Sequence, residues 1–173
     1  MADDGELVES GTFRVDRRKA LEKLKEFQLP DPAMFLLPWV RCAVASDAIA
    51  IDIHENNAKD VLEVRFDGRP FTEKELRKLY DYLFEEETPE TVRNRHLAVG
   101  LLTVLRLKPE CVTITSGAGT ERVCLKVESL KSESMQTPEE GPGGTILRVD
   151  FTGFRLKGPS FGLLRRHVND RYR

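Results

Sequence analysis

The sequence predicts an α+β protein, a two-layer α/β sandwich in which helices cover one face of a mixed, mostly antiparallel sheet. Helical and strand patterns follow one another in blocks and not in strict alternation, which is typical of this class. The 173 residues, 40% of them hydrophobic and 32% charged, are enough for one well-buried domain. We expect residues 12–173 to form this single domain behind a mobile acidic N-terminus, residues 1–11.

The charge balance argues against several function classes. The net charge of −2 comes from 27 basic and 29 acidic residues, which gives no general attraction to nucleic acid or to an anionic membrane. The longest nearly apolar run, "AMFLLPWV", is too short to span a bilayer. The acidic N-terminus does not resemble a signal peptide, so we expect a cytoplasmic protein.

Cysteines and histidines give no sign of a metal site. Cys42, Cys111 and Cys124 are an odd number without metal-type spacing, and we expect three buried, reduced thiols. The three histidines are scattered along the chain, so no metal ligand set is predicted.

Two helices are predicted in the first part of the chain. Asp16 is a suitable N-cap for a helix that ends near Phe27. Asp31 and Pro32 are typical of the N-cap and first position of a second helix, in which Pro38 should cause a kink or a restart.

Two strands and two further helices should follow. "AIAIDI" and "VLEVRF" alternate as strands do, around a polar turn. Thr72 and Glu75 have the capping-box spacing that starts a helix. Thr88 and Pro89 should start the fourth helix, "VRNRHLAVGLLTVLRL".

The remainder predicts three strands, one loop and a final helix. "CVTITS" and "RVCLKVES" should pair with Val112 opposite Leu125, so that Cys111 and Cys124 are not opposed. The polar stretch at 130–144 is predicted as a loop. "TILRVDF" is a strand, and Ser160 should cap the final helix.

Four short fragments occur in order along these elements: "ASDA" after the second helix, "FDGRPF" after the second strand, "RHLAVG" in the fourth helix and "GGT" before the last strand. With this element order, the chain resembles the ATP-binding domain of the GHKL superfamily, which includes gyrase, heat-shock-chaperone, histidine-kinase and mismatch-repair ATPases. The heat-shock-chaperone branch is the most similar. The resemblance covers about Phe13 to the C-terminus and implies the Bergerat-type sandwich.

The resemblance also implies which catalytic residues have been replaced. In the chaperones, E-x-x-x-N precedes A-S-D-A; the Glu activates the attacking water and the Asn ligates Mg²⁺. Counting back from Ala45, these positions are Val40 and Val44, on one helix face. Valine can neither accept a proton nor ligate a hard cation, so we expect that ATP hydrolysis has been lost.

A second family motif, D-x-G-x-G, holds adenine through its Asp. Here the Asp position is Phe66, the first Gly is Gly68 and the second is Pro70. Asp67 is displaced by one residue and should point to the opposite face of the sheet. We expect Phe66 to fill the cavity in which the family binds adenine.

The phosphate-binding turn of the family is also altered. Of a pattern close to G-x-F-G-V-G, this chain keeps Val99 and Gly100, whereas Arg95 and Ala98 occupy glycine positions. The helix should begin well before Gly100, so that its amides already have partners within the helix. Gly144 and Thr145 match the Gly-Thr whose hydroxyl reaches the phosphate or adenine region in relatives.

Several side chains have alternative interpretations. Arg93, Arg95 and His96 are either a cationic patch that replaces the phosphate-binding amides or, as we favour, a solvated first helical turn. Trp39 is either an exposed anchor or, as we favour, a core residue. The basic C-terminal helix is interpreted as solvated, with nucleic-acid contact as the weaker alternative; its arginines are Arg165, Arg166, Arg171 and Arg173.

Two functional hypotheses result. The first is a non-enzymatic GHKL-like domain, a pseudo-ATPase without cofactor that acts as a structural or protein-interaction module with a protein partner. The second is a domain that binds ATP, ADP or a related small ligand in an altered, Mg²⁺-independent mode. Its ligand site would be formed by Asp67, Gly68, Arg95, His96, Gly100, Gly144 and Thr145. Because the chaperones continue beyond the final helix, the chain is also considered as the N-terminal part of a longer protein.

Overall fold

The computed structural model of the chain describes residues 16–27, 32–56 and 58–152. Within them it contains four α-helices, four short 3-10 helices and six strands, which makes the protein α+β as predicted. The predicted acidic N-terminus, the Asp31 cap and the final helix with its arginines lie outside the described residues.

Two of the predicted capping signals are confirmed, at the first and third helices, whereas the fourth helix begins at Val92 and not at the predicted Thr88–Pro89. Asp16 accepts hydrogen bonds from the amides of Arg18 and Lys19 at 3.1 and 3.2 Å, which confirms it as the cap of the first helix. A 3-10 turn at Pro32–Phe35 leads into the second helix, and this restart places Pro38 in a first turn, where its missing N–H is tolerated. The α-helices are α1 Arg17–Phe27, α2 Leu36–Ala45, α3 Glu73–Arg77 and α4 Val92–Val104; the other 3-10 turns are Asp81–Leu83, Leu105–Leu107 and Gly119–Glu121.

The six strands form one sheet in the order β1-β2-β6-β3-β4-β5. Every pairing among these strands is antiparallel, so the predicted mixed character is not found in the described sheet. The last described strand, β6, lies in the middle of the sheet between β2 and β3. The strands are β1 Ile51–Asn56, β2 Val61–Phe66, β3 Cys111–Ser116, β4 Val123–Ser129, β5 Ser132–Gln136 and β6 Thr145–Asp150.

Two predictions about the sheet are wrong. The predicted loop at 130–144 contains strand β5, whose polar residues give no apolar alternation and which pairs with β4 at the sheet edge. In the β3–β4 hairpin, Val112 pairs with Val127 and not with Leu125, a register shift of two residues. The shift conserves which face each side chain occupies, because side chains alternate with period two.

The core lies between the helices and one face of the sheet. Alternate residues of the central strands are buried with residues of α2 and α4 in one apolar cluster, an arrangement compatible with the predicted two-layer sandwich. The strand contribution consists of Leu62, Val64, Phe66, Val112, Ile114, Leu125, Val127, Leu147 and Val149. No described helix is both long and apolar enough to cross a membrane.

Candidate functional site

Helix α2 carries the two positions that the resemblance assigns to the catalytic Glu and the magnesium-ligating Asn. Val40 has 0% of its surface exposed, whereas Val44 is 45% exposed. The predicted apolar helix face is therefore buried at Val40 and open at Val44, in the last turn before α2 ends at Ala45. Neither side chain has an atom that can accept a proton or ligate a metal ion.

The turn after α2 is hydrogen-bonded to the turn after strand β2. Asp67 Oδ1 accepts hydrogen bonds from the backbone N–H groups of Ile49 and Ala50, at 2.9 and 3.0 Å. These bonds, above all the one from Ala50, hold the pKa of the Asp67 carboxyl below its ordinary value of 3.8. They also explain why the strand predicted from residue 48 begins only at Ile51, since two amides are already engaged with Asp67.

Gly68 packs against the same turn. A Cβ atom on Gly68 would lie 2.5 Å from the carbonyl oxygen of Ser46, and the Arg69 amide donates to that oxygen at 2.6 Å. Ser46 is itself buried, with its hydroxyl donating to the Cys42 carbonyl at 2.8 Å. The close approach of two backbone segments therefore gives Gly68 a structural reason to be glycine.

Phe66, at the position that the resemblance assigns to the adenine-binding Asp, is part of the core. It is 4% exposed and packs in the main apolar cluster. Gly144 lies beside it with φ at +112°, and a Cβ atom on Gly144 would lie 2.6 Å from the Phe66 carbonyl oxygen. Both the left-handed backbone and the close contact require glycine there.

Thr145 takes part in an internal hydrogen-bond chain. Its hydroxyl oxygen lies 2.7 Å from Ser116 Oγ, and both residues are buried. Ser116 Oγ also accepts a hydrogen bond from the Phe71 amide at 2.8 Å. The network joins β6, β3 and the segment before α3, so the Thr145 hydroxyl already has a partner within the protein.

Helix α4 carries the residues that the resemblance aligns with the phosphate-binding pattern. It runs from Val92 to Val104, which confirms that the helix begins well before Gly100. Amides this far inside a helix are bonded to the preceding turn and cannot bind phosphate. A Cβ atom on Gly100 would overlap the indole ring of Trp39, which is fully buried and confirms the core interpretation of that residue.

Arg93 is the largest departure from the predicted site. It is 2% exposed, so the prediction of a solvated first turn is wrong for this residue. Its guanidinium donates to the carbonyl of Arg69 at 2.8 Å and to that of Pro70 at 3.3 Å, and it forms an ion pair with Glu75. The same group stacks over the Phe71 ring, 4.3 Å from its centroid.

Glu75 connects this ion pair to the start of helix α3. Its carboxylate accepts from the Thr72 amide at 2.8 Å, completing the predicted capping box, and from the Asn94 side-chain amide at 3.3 Å. Burial raises the pKa of Glu75, but the hydrogen bonds from Thr72 and Arg93 outweigh it and the pKa is lowered overall. Glu75 is therefore ionised beside Arg93.

Arg95 and His96 have different surroundings from Arg93. Arg95 donates to the Glu85 carbonyl at 3.2 Å and pairs with Glu87 at 3.6 Å, so it belongs to the acidic connection before the helix. His96 is half-buried, and burial together with the positive charge of Arg41 lowers its pKa. The contacts of the three basic residues do not converge on one patch.

One small cavity brings together two of the predicted ligand-site residues. Asp67 and Thr145 both line a space of about 160 Å³ beside Phe66 and Gly143. Pockets that hold drug-sized ligands measure roughly 300–1,000 Å³. The cavity is too small for a whole nucleotide in this conformation.

The sequence patterns did not predict that the side chains of Arg93 and Ser116 bind the segment before helix α3. A signal for Arg93 was present, because it lies four residues before Leu97 and eight before Leu101, both fully buried. This spacing extends the buried face of α4 to Arg93. Ser116 ends a strand whose alternate residues are buried, which indicates an inward hydroxyl but not its partners.

Thiols and acidic groups form no obvious metal site in the described part of the chain. No group of three or more His, Cys, Asp and Glu residues there is arranged to hold a metal ion. Cys42 and Cys124 are buried as expected and Cys111 is half-buried, all with free thiols. Burial raises the pKa of Cys42 to about 12, which makes this thiol unreactive at neutral pH.

The sequence matches no protein-family model, and a search of curated proteins gives no match either.

Proposed function

We propose that this protein is a GHKL-like domain with a Bergerat-type sandwich that has lost Mg²⁺-dependent ATP hydrolysis. It would act in the cytoplasm as a structural or protein-interaction module with a protein partner. The observation that carries the proposal is that buried side chains of the protein itself occupy the segments that the resemblance aligns with the family motifs. Val40 in α2, Phe66 in β2 and Arg93 in α4 each have 4% or less of their surface exposed.

The chemistry of these positions supports loss of turnover. Hydrolysis requires a base to activate water and oxygen ligands for Mg²⁺. Val40 and Val44 occupy the two positions where the resemblance places those groups. Asp67, the nearest acid to the family Asp position, holds two backbone amides and is a structural cap.

The environment of α4 supports the same proposal. Phosphate binding at a helix N-terminus depends on amides without intrahelical partners. Gly100 lies deep within α4 under Trp39, and the two terminal nitrogens of the buried Arg93 guanidinium are engaged by Arg69, Pro70 and Glu75. Neither the backbone nor this cation is available for a phosphate.

A thermal-shift series tests the proposal, using ATP, ADP and a non-hydrolysable ATP analogue, each with and without Mg²⁺. A ligand at about a hundred times its dissociation constant stabilises a fold by roughly 2.7 kcal/mol. We expect no shift at millimolar nucleotide. A clear Mg²⁺-dependent shift would contradict the proposal.

A restored variant provides the second test. Val40→Glu with Val44→Asn returns the two catalytic side chains without emptying the space around Phe66 and Arg93. We expect no ATP turnover from this double variant. Turnover would mean that the nucleotide site is open and that the chemistry alone had been lost.

The small cavity beside Asp67 and Thr145 favours one alternative, the binding of a ligand smaller than a nucleotide. In that case a nucleotide fragment such as adenine should stabilise the fold independently of Mg²⁺. Asp67→Ala should abolish the shift. Equal shifts in the wild type and Asp67→Ala would place the ligand elsewhere.

A further inference from the structure

Strand β1 forms one end of the sheet, and no other described strand pairs with its outer edge. Exposed strand edges readily add another strand, and natural proteins usually protect them with bulges, proline, lysine or cover. Strand β1 contains no bulge, no proline and no lysine. Its six residues, "IDIHEN", pair with β2 in an unbroken register. Ile51 and Ile53 are only half-buried on the side of the sheet that faces the helices.

Apolar side chains continue from the strand into the preceding turn. Ile49, in the turn that leads into β1, is 94% exposed. Exposed apolar groups concentrated at one place mark interaction sites. The opposite edge differs: β5 begins after a bulge between Val127 and Ser129, and its residues are polar and mostly exposed.

The sequence of β1 is complementary to itself in the antiparallel direction. When two copies extend one sheet, the two-fold axis passes through a residue that faces its own copy. An axis at Asp52 opposes two like charges, which is destabilising. An axis at Ile53 pairs two apolar side chains and places Asp52 of each copy opposite His54 of the other, so that a carboxylate faces an imidazole on both sides.

We propose that β1 is a self-association edge, through which two copies of this chain join their sheets antiparallel with Ile53 facing Ile53. The helical layers then lie on the same side of a continuous sheet, and the exposed Ile49 precedes the paired strand in each copy. The inference is independent of the loss of ATP turnover. If the protein proves to be a monomer, the nucleotide experiments above keep their meaning. If it proves to bind nucleotide, the proposal about the β1 edge is unchanged.

Sedimentation equilibrium of the full chain over a range of concentrations tests the proposal. We expect the apparent mass to double with rising concentration, and Ile53→Lys to remain monomeric. The matched control, Ser134→Lys, places the same charge in the middle of the other edge strand and should dimerise like the wild type. A wild type that stays monomeric, as it would if another segment of the chain covered β1, overturns the proposal, and so does a dimer that tolerates Ile53→Lys.

Cross-linking tests the register even if Ile53→Lys is poorly folded. In a Cys111→Ser background, Ile53→Cys should form a disulfide-linked dimer in oxidised glutathione, because directly opposed Cβ atoms lie close to the separation a disulfide needs. Ile51→Cys should not, since residue 51 faces residue 55 of the other copy in this register. Equal cross-linking of both variants, or of Ile51→Cys alone, contradicts the pairing.

Discussion

In two regions of the molecule a glycine lies so close to a neighbouring group that a Cβ atom would not fit, and the kind of neighbouring group differs between them. At Gly68 the neighbour is backbone, the Ser46 carbonyl, and the turn is held by backbone amides that donate to Asp67 and Ser46. At Gly100 the neighbour is a side chain, the buried indole of Trp39. The first region is fixed by hydrogen bonds that are exposed at Asp67 and buried at Ser46, and the second by packing in the interior.

This difference predicts how the two regions respond to substitution. The turn at Gly68 is held by hydrogen bonds to a partly exposed segment of the chain. The region around α4 is filled by side chains, among them a buried charge, Arg93, that is costly unless paired. We therefore expect substitutions in the packed region to reduce stability more than those in the turn.

The largest effect is expected from Arg93→Met. The substitution leaves the Glu75 carboxylate without its ion-pair partner and two carbonyls without a donor. Removing one member of a buried pair costs about 3 kcal/mol, measurable as a lower midpoint in urea unfolding. Arg95→Met, which removes a more exposed pair with Glu87, is the control and should change stability by less than about 1 kcal/mol. Similar losses in both variants would mean that Arg93 is not buried as described.

Gly100→Ala should have the next largest effect. The added methyl group overlaps the Trp39 ring, and overpacking of this kind costs about 2 kcal/mol despite the better helix propensity of alanine. In a Trp39→Leu background the same substitution should be nearly neutral. A double-mutant cycle in urea unfolding measures this coupling, and additive effects would show that the ring does not restrict Gly100.

Thr145→Val should cost about 1 kcal/mol, since it removes one hydrogen bond between buried hydroxyls and keeps the side-chain shape. Thr113→Val, at a partly exposed position in strand β3, is the control and should be close to neutral. Thermal unfolding distinguishes the two variants. A neutral Thr145→Val would mean that Ser116 and Thr145 do not bond in solution.

Much of the fold could be predicted from local sequence signals, because they act over a few residues. Asp16 and the Thr72–Glu75 pair predicted helix starts that the structure confirms, and apolar alternation located five of the six strands. Strand β5 was missed because an edge strand with few buried residues need not alternate.

The partners within the candidate site could not be predicted in the same way. Arg93 reaches backbone carbonyls more than twenty residues earlier in the chain, and Ser116 meets an amide at Phe71. Such contacts depend on how the layers pack, which no local pattern encodes. Trp39 was placed in the core correctly, but nothing in the sequence showed that its ring covers Gly100.

The smallest effect, and the one most dependent on pH, is expected from Asp67→Asn. Amides of Ala50 and Ile49 donate to the carboxylate and lower its pKa in the folded protein. Protonation of Asp67 therefore favours the unfolded chain. The extra free energy of unfolding that Asp67 gives relative to Asn is fully present above the ordinary pKa of Asp, and it is lost as pH falls through the lowered pKa of the folded protein. Urea unfolding of both proteins between neutral pH and about pH 3 should show their stabilities converging toward acid. A difference that stayed constant over this range would mean that the charge of Asp67 does not hold the turn, and the contrast with the packed region would then rest on Gly68 alone.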